Sequence, residues 1–96
     1  MTTVIATFTV KPENAAEFEA VFAELQAATK ANEPNVSIYV MAKNRKVEGQ
    51  YKILERYGSK DDFKFHGESE WFKSAFAKMN PLFAEPPVLE ILDTVA

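Results

Sequence analysis

His66 is the single histidine in the chain. Imidazole exchanges a proton near neutral pH without a large pKa shift, so His66 is the sole candidate here for a general base of that kind. Residue type alone favours a plainer role, a surface or helix-capping histidine. Glu55 stands two residues before Tyr57 in an alternating stretch, so both fall on one face of a strand. If that face looks toward helices, Glu55 is a carboxylate in partly apolar space and must be paired or functional. If it looks outward, it serves a contact between copies, and alternation leaves both open. The rings of Phe8, Phe18, Phe22, Tyr39, Trp71, Phe72 and Phe76 are expected mainly in the core. A sheet-and-helix layer lined by rings can still leave a cavity for a flat aromatic molecule.

Other chemistries find no support. The chain has no cysteine, which excludes disulfides, thiolate metal sites and thiol nucleophiles. Only three glycines are present, with no Gly-rich phosphate loop and no Gly-x-Ser-x-Gly elbow. One histidine is a poor basis for a metal site, and Asp61-Asp62 fits the first turn of a helix better. No metal or organic cofactor is therefore expected. The net charge is 11 − 14 = −3 without a sizeable basic cluster, which argues against nucleic acid. The N-terminal Met-Thr-Thr-Val-Ile-Ala lacks the features of a signal peptide. No stretch nears the ~20 apolar residues of a membrane span. A soluble, cytoplasmic, single domain over residues 1–96 is expected.

The elements that must hold these residues read in order. Thr3 to Val10 alternates, with Val4, Ala6, Phe8 and Val10 on one face, and ends at Pro12. Asn14 and Glu17 have capping-box spacing, and Phe18, Val21, Phe22, Leu25 and Ala28 recur at helical intervals, predicting about four turns. Glu33-Pro34-Asn35 is turn chemistry before a second strand from Val36 to Met41. Lys43 to Gly49 connects a hairpin to a third strand, Gln50 to Tyr57. Ser59 and Ser69 are N-caps for two short helices, the first ending near Gly67 and the second before Pro81. Pro86-Pro87 leads to a last strand, Val88 to Val95. The order β-α-β-β-α-β predicts an α+β, ferredoxin-like fold with an antiparallel four-stranded sheet.

Two helices cover one face of such a sheet, yet both faces of its strands are apolar. Val36, Ile38 and Val40 oppose Tyr39 and Met41, while Val88 and Leu92 oppose Leu89, Ile91 and Val95. A solvated face would alternate cleanly. A homodimer packed through the open sheet face is therefore expected.

Taken together, these motifs resemble the antibiotic biosynthesis monooxygenase family of the dimeric α+β barrel superfamily. Val10-Lys11-Pro12-Glu13 leads into a helix with Glu17-Phe18, and Glu33-Pro34-Asn35 looks like the family's Glu-Pro-Gly turn. Leu54-Glu55-Arg56-Tyr57 is similar to its hydrophobic-Glu-x-aromatic strand. His66 followed by Ser69-Glu70-Trp71-Phe72 resembles a His and then Ser-x-x-Phe. Pro86-Pro87 before the last strand also fits. Asn35 replaces the usual Gly, and asparagine tolerates positive φ.

The resemblance implies a homodimer, with a cavity in each subunit between sheet and helices. Some members oxygenate quinols or anthrone-like aromatics without metal or organic cofactor. By that resemblance His66 is base or proton relay, Glu55 its orienting or polar partner, and Tyr39 and Tyr57 are hydrogen-bonding wall residues. The haem-degrading branch is disfavoured, because the first strand lacks its Asn and His66 and Phe76 fall where its Trp and His would stand. Two functional readings stay open beside the oxygenase: a non-catalytic ligand-binding or structural dimer, and a proton-transfer isomerase using His66 and Glu55.

Overall fold

The computed structural model describes residues Met1–Ala96. Strand β1 (Thr2–Thr9) pairs antiparallel with both β3 (Gln50–Tyr57) and β4 (Val88–Asp93), and β3 pairs antiparallel with β2 (Val36–Lys43). The sheet order is β2-β3-β1-β4. Helices α1 (Ala15–Asn32), α2 (Lys60–Glu68) and α3 (Glu70–Met79) complete the expected α+β, ferredoxin-like arrangement. No helix is long and apolar enough to cross a membrane.

The period-2 pattern sorts the sheet into two faces. Val4, Ala6 and Phe8 of β1 and Tyr51, Ile53, Glu55 and Tyr57 of β3 are all buried on the helix side. They meet Phe18, Val21, Phe22 and Leu25 of α1 and Ala75 and Met79 of α3. A register shift between Val36 and Ile38 brings Tyr39 opposite Glu55, so both lie on that side. On the opposite face, Val40, Leu54 and Ile5 form one row across three strands, with Val40 and Leu54 exposed. Val88, Leu89, Ile91 and Leu92 of the edge strand β4 are also exposed.

Several local readings need correction. The Asn14–Glu17 capping box does not form: Pro12–Asn14 makes a 3-10 turn, and the Asn14 amide reaches the Leu82 carbonyl at 3.4 Å. Proline at the start of that turn sets its φ, and Asn14 keeps the N-cap position of α1 without a side-chain cap bond. The helix then runs 18 residues, nearer five turns than four. The last strand stops at Asp93 instead of Val95. Asn35 forms its turn without positive φ, since only Gly49 has one, at +79°.

Ser59 and Ser69 do cap α2 and α3. Ser59 Oγ accepts from the Asp62 amide at 3.1 Å, and Ser69 Oγ accepts from the Phe72 amide at 3.2 Å. Each cap also fixes neighbouring structure. Asp62 accepts from the Asn35 side chain at 3.2 Å, tying the turn after α1 to the start of α2. Ser69 donates to the His66 carbonyl at 2.7 Å, pinning the end of α2.

Candidate functional site

These two pins set the central pair. The turn after α1 carries Glu33 and the last turn of α2 carries His66, and both side chains are buried, 5% and 2% exposed. His66 Nδ1 lies 2.8 Å from Glu33 Oε2, and Trp71 Nε1 donates to the same oxygen at 2.6 Å. An ionised Glu33 can only accept, which puts a proton on Nδ1, and a neutral ring in that tautomer holds its lone pair on Nε2. Nε2 is buried and has no partner. The expectation from residue type, a surface or capping histidine, is therefore overturned. The packing of α2 against the sheet draws its ring among Tyr39, Tyr57 and Phe72, at centroid separations of 5.0, 5.5 and 5.1 Å.

His66 lines a cavity of about 320 Å³ between sheet and helices. Of the expected site residues, Phe8, Tyr39, Glu55 and Phe76 line it too. Three others stand apart from it. Phe22 is core and stacks on Tyr39 at 5.3 Å. Trp71 serves Glu33 instead of the cavity wall. Tyr57 lies behind the wall, where its hydroxyl donates to Glu55 Oε1. Phe72, expected mainly in the core, lines it as well, as do Phe63 and Met79, which the sequence does not single out as site residues.

Glu55 faces the helices, which decides the alternative that alternation left open. It is 7% exposed, and burial pushes its carboxyl up to about 7, against the lowering effect of the Tyr57 hydrogen bond. Burial likewise raises the Tyr39 and Tyr57 phenols, and nearby Glu55 adds to both shifts. Both tyrosines are therefore neutral hydrogen-bonding groups across the physiological range.

The expected Glu55–His66 partnership takes a different form. Glu55 is bonded to Tyr57 and His66 to Glu33, so two separate carboxylate pairs flank the cavity. Glu33 was read only as turn chemistry. Its one local signal is an acidic residue at the negative end of a helix dipole, an unfavourable place unless another partner holds it. Nowhere do three or more His, Asp or Glu side chains converge as a metal site requires.

The arrangement supplies a base oriented by a carboxylate, a second carboxyl group that titrates near neutrality, and a largely apolar chamber. It suits removal of a proton from an uncharged, weakly acidic organic molecule.

Comparison with known proteins adds to this. A Caulobacter crescentus protein placed among the antibiotic biosynthesis monooxygenases is 47% identical, with a TM-score of 0.97, over 99% of this chain and 90% of that one. A Nitrosomonas europaea protein of the same description is 17% identical with a TM-score of 0.93 over the full length of both, and shares the fold. A conserved Methanosarcina mazei protein, 22% identical with a TM-score of 0.89 over 95% of this chain and 89% of its own, shares it as well. No curated protein matches the chain. Residues 1–78 match the family model described as antibiotic biosynthesis monooxygenase. The chain belongs to the antibiotic biosynthesis monooxygenase family.

Proposed function

We propose that this protein is a cofactor-independent monooxygenase acting on a small quinol- or anthrone-like aromatic, working as a homodimer. One observation carries the reading: a buried imidazole, oriented through Nδ1 by a buried carboxylate, keeps Nε2 unpartnered beside a cavity lined mostly by apolar side chains.

The chemistry follows from that geometry. His66 Nε2 takes a proton from the activated CH or OH of the substrate, and Glu33 stabilises the imidazolium that forms. The electron-rich anion reduces dioxygen directly and a C–O bond forms, giving a peroxide. Proton return and loss of water leave a carbonyl. For an anthrone-type CH₂ the sum is CH₂ + O₂ → C=O + H₂O, with no net proton released. The apolar wall excludes water that would otherwise quench the anion. Tyr39 and Glu55 supply hydrogen-bonding groups to the oxygens of the bound aromatic.

The dimer is supported by the outer face of the sheet. Ile38, Val40, Leu54 and Leu92 leave an apolar surface there that the helices do not cover. A second copy is the simplest cover for it.

Oxygen uptake with a panel of quinols and anthrones, compared between the wild type and His66→Ala, tests the proposal. Uptake by the wild type that is lost in the variant supports it. Uptake that is absent, or equal in both, rejects it.

A further inference from the structure

Glu33 stands between two spaces whose walls share Tyr39 alone. Inward, its Oε2 accepts from His66 and Trp71, and His66 lines the apolar cavity. Outward, Glu33 lines a groove of about 690 Å³ between α1 and β2, together with Thr29, Lys30, Pro34 and Val36. Its Oε1 is buried and has no partner, and neither has Thr29 Oγ1 one helical turn earlier. One oxygen is thus committed to the cavity side, while the other has nothing in the protein to bond.

We propose that Glu33 is the proton outlet of the cavity, connecting His66 to water in the groove between α1 and β2. The idea builds on the role proposed for His66. When Nε2 takes a proton, the proton on Nδ1 passes to Glu33 Oε2, and the carboxyl group releases it toward the groove. One proton enters the ring at Nε2 and one leaves at Nδ1; as Nε2 returns its proton, Glu33 takes one up from the groove and restores Nδ1–H. Oxidation of a CH₂ by dioxygen needs no net outlet. The route instead lets His66 exchange protons with solvent while a substrate fills the cavity.

The groups around Glu33 are compatible with this. Lys30 stands on the groove side. Asp62 lies in the adjoining recess formed with Asn32, Asn35 and Phe65. Trp71 faces it from α3 and His66 from α2. Tyr39, Tyr57 and Glu55 lie toward it on the sheet, and the Glu33 charge adds to the upward shift of each. None of these bonds Oε1, which stays without a partner.

The test follows the His66 Nδ1–H proton directly, by NMR of ¹⁵N-labelled full-length protein transferred into D₂O. Glu33→Gln keeps an amide oxygen able to accept from both His66 and Trp71, but cannot take up the proton. Trp71 is the single tryptophan, so its unchanged emission verifies that the pair stays in place. The expected result is Nδ1–H exchange slowed about tenfold or more in Glu33→Gln. Ala27→Phe covers the groove from the exposed side of α1 without touching the pair and should slow exchange as well. If Glu33→Gln does not fold, Ala27→Phe decides alone. Exchange at the wild-type rate in either folded variant overturns the outlet. Oxygen uptake reports separately: fast exchange without uptake retains the outlet and removes the oxygenase reading.

Discussion

Glu33 and His66 lie 33 positions apart, yet their side chains meet at 2.8 Å with almost no solvent contact. Truncating either leaves the other uncompensated in a buried place. Glu33→Ala strands the buried donor of His66 and the half-buried donor of Trp71, and should cost about 2–5 kcal/mol. Glu33→Gln, which retains an acceptor, should cost distinctly less. Urea unfolding of both variants checks this, and equal losses would show that the hydrogen bonds contribute little.

Removing the imidazole should affect turnover more than folding can explain. In His66→Ala the rate of oxygen consumption should fall by about 10²–10⁴-fold, the usual contribution of a positioned base. Partial recovery on adding imidazole would tie the loss to the missing base, because the vacated space adjoins the cavity.

Glu55 predicts a pH signature with a definite sign. Its carboxyl is raised from 4.5 to about 7 in the folded chain, so the native state holds this proton more tightly than the unfolded chain does. The stabilisation is complete below pH 4.5 and is lost as pH rises through about 7. Glu55→Gln should therefore gain on the wild type between pH 5 and pH 8, by up to about 3 kcal/mol. Thermal melts across that range measure the gap, and a constant gap would contradict the assignment. Tyr57→Phe removes the one contact that lowers this carboxyl and should move the transition to higher pH.

Gly49 offers a test of the hairpin. It has φ of +79°, and a Cβ there would lie 2.3 Å from the Val10 carbonyl oxygen. Gly49→Ala should destabilise the chain by about 1–3 kcal/mol without altering the cavity. A melting temperature equal to that of the wild type would show that the turn rearranges freely.

The outer sheet face can be tested by charge. Leu54→Arg places a cation in the middle of the Val40–Leu54–Ile5 row, where a partner would desolvate it. Light scattering should show the wild type at twice 10.8 kDa and the variant at 10.8 kDa. A wild-type chain already at 10.8 kDa would remove the dimer.

The fold was legible because its signals are local and periodic. Alternation in β1 and β3, helical spacing from Phe18 to Leu25 and the two serine caps each act within a few residues. The site was legible in its parts and not in its pairings. His66 and Glu55 stood out by chemical type, but which carboxylate meets the imidazole depends on how the turn after α1 docks on α2. That docking runs through Asn35 and Asp62, 27 residues apart, and leaves no periodic trace. The Asn14 cap failed for a similar reason: Leu82, far along the chain, takes the side chain that local rules assign to the helix start.

Strand β3 puts Leu54 on the outer face and Glu55, its immediate neighbour, on the cavity face. Substitutions at the two positions are therefore nearly independent, and drift in the outer surface can leave the cavity chemistry intact. Insertions and deletions are another matter. Losing one residue within Gln50–Tyr57 would turn the leucine inward and the carboxylate outward, so this strand should tolerate changes of residue over evolutionary time but not changes of length.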